Sequence, residues 1–107
     1  MTKPLSNYVH FAGIEGGSGN IASLTYDIDI TLKAHVSNNP KAPVYEVFAR
    51  SPRGREIRIG GVWENENQEG GTYLTLAIET GHGKLRANLG RYPGQDDRDL
   101  KAIIPWD

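Results

Sequence analysis

One stretch near the N-terminus restricts the possible folds of this chain more than any other. From residue 22 to residue 36 every even position is apolar, and the odd positions are polar or charged. The apolar members are Ala22, Leu24, Tyr26, Ile28, Ile30, Leu32, Ala34 and Val36. Side chains of a β-strand alternate between two faces, so this period of two predicts a strand with one buried face. The 15 residues exceed a typical strand. We therefore expect a bend, a bulge or a division into two strands near Tyr26-Asp27.

The rest of the chain consists of short apolar or alternating runs between turn-forming residues. The runs at 8–14, 44–49, 56–64, 72–79, 84–89 and 99–106 are predicted as strands. The segments at 15–20, 37–43, 51–54, 65–71, 80–83 and 90–97 are predicted as turns or loops. Strands at intervals of about ten residues, without a helical period, predict an all-β fold. We expect a single domain over residues 1–107 with a loose lead-in at 1–7. Its six to seven antiparallel strands would form a small barrel or sandwich, mostly connected by hairpins.

The segment from Ile59 to Leu74 combines a tryptophan with several acidic and amide side chains. It is predicted as two paired strands, and the Gly60-Gly61 pair inside the first indicates a bulge or a close backbone contact. The alternation places Ile57, Ile59, Gly61 and Trp63 on one side. Trp63, Leu74 and Trp106 are therefore assigned to the core, and Glu64, Glu66 and Glu69 to the solvent.

Composition restricts the classes of function. The chain has 12 basic and 13 acidic side chains and a net charge of −1, unlike a dedicated duplex-binding domain. It has no cysteine, which excludes disulfides, thiolate catalysis, cysteine-ligated zinc and iron–sulfur clusters. We expect no cofactor. No signal peptide or membrane span is visible, so a cytoplasmic location without membrane contact is expected.

Six short segments occur in a characteristic order. They are 21–24 (IASL), 41–47 (KAPVYEV), 59–63 (IGGVW), 73–76 (YLTL), 85–89 (LRANL) and 103–106 (IIPW). In order and spacing the chain resembles the DUF736 family of small bacterial proteins of unknown function, from about residue 9 to residue 106. It departs from the family at 77–82, where members carry an acidic segment, and at Asp107, where a basic residue is usual. The resemblance implies an association with conjugative or integrative mobile elements, and it implies no particular activity.

Catalytic patterns are weak. The three histidines, His10, His35 and His82, have no metal-binding spacing, and there is no nucleophile-elbow motif. Asp27 and Asp29 lie about 7 Å apart on one strand face, a separation that suits acid–base chemistry. No other residue type converges on them, and a solvated strand face explains the pair. The glycine-rich 15–20 segment lacks the features of a phosphate-binding loop. We therefore expect no enzyme.

Basic residues cluster on one predicted hairpin. Arg50, Arg53, Arg55 and Arg58 fall within nine residues, and Lys84 and Arg86 share the solvated face of a later strand. If Tyr45 or Tyr73 is exposed nearby, this surface suits single-stranded nucleic acid, since arginines neutralise phosphates and tyrosines stack on bases. A solvated turn whose cations balance Glu46, Glu56 and Glu64 is the competing interpretation.

Two classes of function follow. The first is a non-enzymatic accessory protein of a mobile genetic element that contacts single-stranded nucleic acid through the arginine-rich hairpin. The alternative is a protein–protein module, a regulator or inhibitor of a host protein or defence complex, that uses the hairpin or an exposed strand edge. The sequence leaves the partner and the oligomeric state open.

Overall fold

The chain folds into a closed antiparallel barrel. A computed structural model describes residues 7–39, 41–81, 83–94 and 97–106. The strands are β1 (Tyr8–Phe11), β2 (Gly16–Ala22), β3 (Asp27–Ala34), β4 (Tyr45–Arg50), β5 (Glu56–Glu66), β6 (Thr72–Glu79), β7 (Lys84–Arg91) and β8 (Leu100–Pro105). Each strand pairs with the next, and β1 pairs with β8 to close the barrel. The prediction of an all-β antiparallel barrel or sandwich is confirmed: the fold is a barrel, with eight strands instead of six to seven.

The long alternating stretch is divided, as expected, at residues 23–26. The Ser23 hydroxyl accepts hydrogen bonds from the backbone N–H groups of Thr25 and Tyr26, each at 3.2 Å, and this fixes a tight turn between β2 and β3. In β3, Ile30 and Leu32 are buried, whereas Leu24 in the turn is fully exposed. The alternation of apolar and polar residues in the sequence therefore extends through a turn that belongs to neither strand.

The additional strand is the glycine-rich segment that was predicted as a turn. Residues 16–22 form β2 between β1 and β3. A Cβ at Gly19 would lie 2.1 Å from the carbonyl oxygen of Tyr8, and one at Gly17 would lie 2.3 Å from that of His10. The prediction of a turn was wrong because glycine has two common roles. It forms turns, and within a strand it also permits the close approach of a neighbouring backbone, as it does here.

The barrel interior is filled by apolar side chains from every strand. An eight-stranded barrel is just wide enough for such a filling. The buried cluster consists of Val9, Phe11, Ile21, Ile30, Leu32, Val47, Val62, Leu76, Ile78, Ala87, Leu89 and Ile103. No helix in the part of the chain described here has the length and hydropathy of a membrane span.

A bulge in β5 changes which side chains point inward. The register with β4 shifts between Val47 and Phe48. Phe48 pairs with Arg58 and Val47 pairs with Gly60, so Ile59 is an additional residue in β5. After the bulge Val62 is fully buried and pairs with buried Leu76. Trp63 therefore points to the outside of the barrel. Its assignment to the core was wrong, although the bulge itself was predicted from the glycine pair.

The C-terminal tryptophan was also wrongly assigned. Ile103 is the buried side chain near the end of β8, whereas Ile104 and Trp106 are half-exposed on the outer face. Leu74 does pack against the core, and Glu64, Glu66 and Glu69 are exposed, as predicted.

The antiparallel topology places alternate connections at opposite ends of the barrel. The β2–β3, β4–β5 and β6–β7 connections emerge together at one end, which we call the basal end. The predicted arginine-rich hairpin joins β4 to β5 and therefore lies at this basal end.

Candidate functional site

The outer face of the barrel carries a groove with an aromatic lining. It spans β5, β6 and β7 and extends to the residue after β8, with a volume of about 290 Å³. We call it the aromatic groove. Its lining consists of Trp63, Asn65, Tyr73, Thr75, Ala77, Arg86 and Trp106.

Strand register explains why these side chains meet. Trp63 pairs with Thr75 and Asn65 pairs with Tyr73 across β5 and β6. Directly paired residues project from the same face of a sheet. The residues of β5 that point outward after the bulge therefore lie beside outward-pointing residues of β6. Ala77 pairs with Arg86 in the same way and adds β7 to the groove.

Both indole rings are held in place by hydrogen bonds at their nitrogen. Trp63 donates from Nε1 to the carbonyl oxygen of Lys41 at 3.0 Å. Trp106 donates from Nε1 to Oδ1 of Asn88 at 2.9 Å, and its backbone N–H donates to the carbonyl of Arg86 at 2.8 Å. The Trp63 ring also lies over Gly61, where a Cβ would be 3.2 Å from its Cη2 atom. The rings are thus pre-oriented for a ligand that stacks on them, which lowers the entropy cost of binding.

The other lining side chains supply a cation and polar groups. Tyr73 is 40% exposed and Trp106 is 50% exposed. Within the described ranges the side chains of Tyr73 and Arg86 make no hydrogen bond or ion pair. Asn65 donates from Nδ2 to the Thr75 hydroxyl at 2.9 Å at the base of the groove. Among the residues that the structure describes, none that lines the groove is acidic. The groove therefore combines flat aromatic surfaces with one available positive charge.

Three of the predicted site residues belong to this region or border it. Tyr73 and Arg86 line the groove, and Lys84 is exposed two residues before Arg86 on β7. Tyr45, which was predicted to be exposed, is not. It is half-buried, packs against the core, and its ring centroid lies 5.2 Å from that of Phe11. The reason is register, because Tyr45 pairs with the buried Val62 and shares its inward direction.

The four arginines of the β4–β5 hairpin, which we call the arginine hairpin, differ in their partners. Arg58 forms an ion pair with Glu46 at 2.7 Å. Arg50 donates from Nη1 to the carbonyl of Gly54 at 3.0 Å. Arg53 and Arg55 are exposed, and their side chains bind no other residue in the described part of the chain. The interpretation as balanced surface charge thus fits Arg58, while Arg53 and Arg55 remain available to an external anion.

The aspartate pair lies on a different part of the surface. Asp27 and Asp29 line an open groove of about 350 Å³ together with Phe48 and Arg50. Asn20 donates from Nδ2 to Oδ1 of both carboxylates, at 2.7 and 3.2 Å. No histidine of the described part of the chain lines this groove.

The histidines are placed singly. His10 contacts Asp97 at 3.0 Å and His35 contacts Glu46 at 3.2 Å, while His82 lies outside the described residues. Over ranges 7–39, 41–81, 83–94 and 97–106 there is no group of three or more metal-ligating side chains arranged to hold an ion.

Sequence reasoning missed the two tryptophans as site residues. The signal that could have identified Trp63 is the Gly60-Gly61 pair. A bulge at this pair exchanges the inward and outward directions of the side chains that follow it in the strand. For Trp106, the position after Pro105 at the end of the last strand weakens any assignment by alternation.

Comparison with known proteins gives one match. The model of the DUF736 family, described as a protein of unknown function, matches residues 11–106 and confirms the resemblance found in the sequence. No curated protein and no solved structure matches significantly.

Proposed function

We propose that this chain, which belongs to the DUF736 family, is a non-enzymatic protein that binds single-stranded nucleic acid in the aromatic groove. The observation that carries the proposal is the combination in that groove. Three aromatic side chains and an arginine without a described partner line one concave surface, and none of its lining residues within 7–39, 41–81, 83–94 and 97–106 is acidic.

The chemistry of the groove suits unpaired bases. A base that stacks on an aromatic side chain contributes about 1–3 kcal/mol, and any base can do so because each has a π-face. Trp106 and Tyr73 present exposed ring surface, and Arg86 can neutralise a phosphate of the same strand. Binding of this kind weakens as the salt concentration rises, because each neutralised phosphate releases counterions.

A duplex is a poorer ligand for this surface. The net charge is −1, whereas duplex-binding domains present a large basic face. Duplex bases are also stacked on each other and cannot enter a groove of about 290 Å³. Unstacked bases of a single strand meet neither obstacle.

The proposal places the protein in the bacterial cytoplasm as an accessory factor of a mobile genetic element, as the family resemblance implies. There the protein would act by binding exposed single strands.

A protein partner is the second candidate. Ile104 is 51% exposed next to Trp106, and Tyr73 adds exposed apolar surface on the same side of the barrel. Such a patch could bind the apolar side chains of a host protein or defence complex. Pairing with an exposed strand edge is excluded for the eight described strands, because β1 and β8 close the barrel.

Tryptophan emission gives a direct test. The chain has two tryptophans, and both line the aromatic groove. Titration with an unlabelled single-stranded oligonucleotide at low salt should quench this emission, and added salt should reverse the effect. Arg86→Gln should weaken binding, whereas Arg98→Gln, in the exposed β7–β8 loop and outside the groove lining, should not.

The outcomes separate the two candidates. Unchanged emission and unchanged anisotropy of a labelled oligonucleotide at low salt would contradict nucleic-acid binding. Recovery from the native host of a defined protein whose binding requires Ile104 and Trp106, together with no oligonucleotide affinity, would support the protein–protein function.

A further inference from the structure

We infer that the single strand, once bound in the aromatic groove, continues along the barrel to the arginine hairpin, so that the site has a stacking part and a separate electrostatic part. The inference rests on the proposed function. It assigns a role to Arg53 and Arg55, which do not line the aromatic groove.

Three depressions that share lining residues lie between the outer face of the barrel and its basal mouth. The aromatic groove shares Ala77 and Arg86 with a narrower depression of about 180 Å³. That depression shares Ile59 and Glu79 with a larger one, of about 580 Å³, at the basal end. The basal depression is lined in part by Arg50, Ser51 and Pro52 of the β4–β5 hairpin. The shared residues place the three depressions next to one another between the aromatic groove and the hairpin.

Positive charge follows this row of depressions. Arg86 and Lys84 project from the same face of β7, and Lys84 is the nearer of the two to the basal end. Arg53 and Arg55 then extend from the hairpin beside Pro52, with no ion pair to any described residue. The carboxylates along this row are Glu79, which is opposite Lys84 in the strand register, and Asp27 in the basal depression.

The geometry also sets a minimum length for the ligand. Arg55 precedes β5 and Trp63 is eight positions further on. One of these positions is the additional residue of the bulge, so about seven rises of about 3.3 Å place the two residues roughly 23 Å apart along the strand. A short oligonucleotide can fill the aromatic groove but cannot reach the hairpin, whereas a longer one can contact both.

The test compares oligonucleotides of about 4 and about 12 nucleotides, within the range of site sizes known for small β-barrel folds. Oligothymidylate and oligouridylate of each length would be titrated into wild type, Arg53→Glu, Arg55→Glu and the double variant. Arg98→Glu is the matched control, because it makes the same charge change as either single variant in a loop at the other end.

We expect the longer strand to bind wild type more tightly and with a steeper salt dependence. The double variant should reduce the affinity for the longer strand at least tenfold, and it should leave the affinity for the shorter strand within twofold. Arg98→Glu should leave both within twofold. The comparison of oligothymidylate with oligouridylate shows whether DNA or RNA is preferred.

Two results would overturn the inference. If the double variant binds both lengths like wild type, or weakens both equally, the hairpin is not a second part of the site. The proposed function would still hold in that case if Trp106→Ala weakens binding of the shorter strand. Absence of binding by wild type at low salt, for both lengths and both chemistries, would overturn the proposed function together with the inference.

Discussion

Replacement of Gly60 by alanine should be among the most destabilising single changes in this protein, although it adds only a methyl group. Gly60 lies at the β5 bulge, directly opposite Ile78 of β6. A Cβ at this position would lie 2.0 Å from the carbonyl oxygen of Ala77, 2.7 Å from Cα of Ile78 and 2.9 Å from the carbonyl carbon of Ala77. All three neighbours are backbone atoms, so no side-chain rotation can relieve the overlap.

The magnitude follows from the displacement that is required. Ordinary contact begins near 3.4 Å, so the two strands must separate by more than an ångström at this point. That movement weakens about two ladder hydrogen bonds, each contributing about 1 kcal/mol, and adds about 1–3 kcal/mol of overpacking strain. We expect a loss of roughly 3–5 kcal/mol in the free energy of unfolding, out of a total of about 5–15 kcal/mol for a domain of this size.

Gly90→Ala is the matched control. Gly90 also lies inside a strand, but the atom that its Cβ would meet, at 2.8 Å, is Cδ1 of Ile104, the end of a flexible side chain that is half-exposed. Rotation of Ile104 can relieve this contact, so we expect a cost within about 1 kcal/mol. Urea unfolding followed by far-UV circular dichroism would give both midpoints. Equal midpoints for the two variants, with unchanged slopes, would refute the reasoning that a backbone overlap decides the cost.

The other predictions concern the aromatic groove and one exposed carboxylate. Trp106→Ala should weaken oligonucleotide binding by roughly 5- to 150-fold, from the loss of about 1–3 kcal/mol of stacking, as measured by fluorescence anisotropy. Ile104→Ala, which removes a neighbouring side chain outside the groove lining, should change affinity less than twofold; a larger loss than for Trp106→Ala would contradict the assignment. Arg86→Gln should reduce the slope of log K against log salt by about 0.7, as expected for one fewer phosphate contact on a single strand, and an unchanged slope would mean that Arg86 meets no phosphate. The backbone N–H of Asp99 and the side chain of His10 both bind the Asp97 carboxylate and hold its pKa below the usual 3.8. The stabilisation from that carboxylate is therefore complete above pH 3.8 and is lost as the pH falls through the lowered pKa. Urea midpoints measured from about pH 6 to about pH 2 should converge for wild type and Asp97→Asn at the acid end, and parallel curves would disprove the link.

Part of the candidate site could be predicted from local sequence. Lys84 and Arg86 share a solvated face in the structure, as the alternation in their strand indicated. The clustering of Arg50 to Arg58 on one hairpin was also predictable, because the Ser51-Pro52-Arg53-Gly54 segment has the composition of a tight turn. Partners across the barrel could not be predicted, so the ion pair between Arg58 and Glu46 and the burial of Tyr45 appeared only in the structure.

The sequence by itself determined the fold class and the family, because a period of two, frequent turn residues and a distinctive order of segments are local properties of the chain. The tertiary structure decided three things that are not local. It closed the barrel by pairing β1 with β8, two strands that are distant in sequence. It turned a glycine-rich segment into a strand, because those glycines lie against the backbone of a neighbour. Finally, the bulge in β5 reversed the direction of Trp63, so that a residue which the alternation assigned to the core lines the aromatic groove. The inward or outward direction of a side chain depends on register with the neighbouring strands, and register is set by the whole barrel.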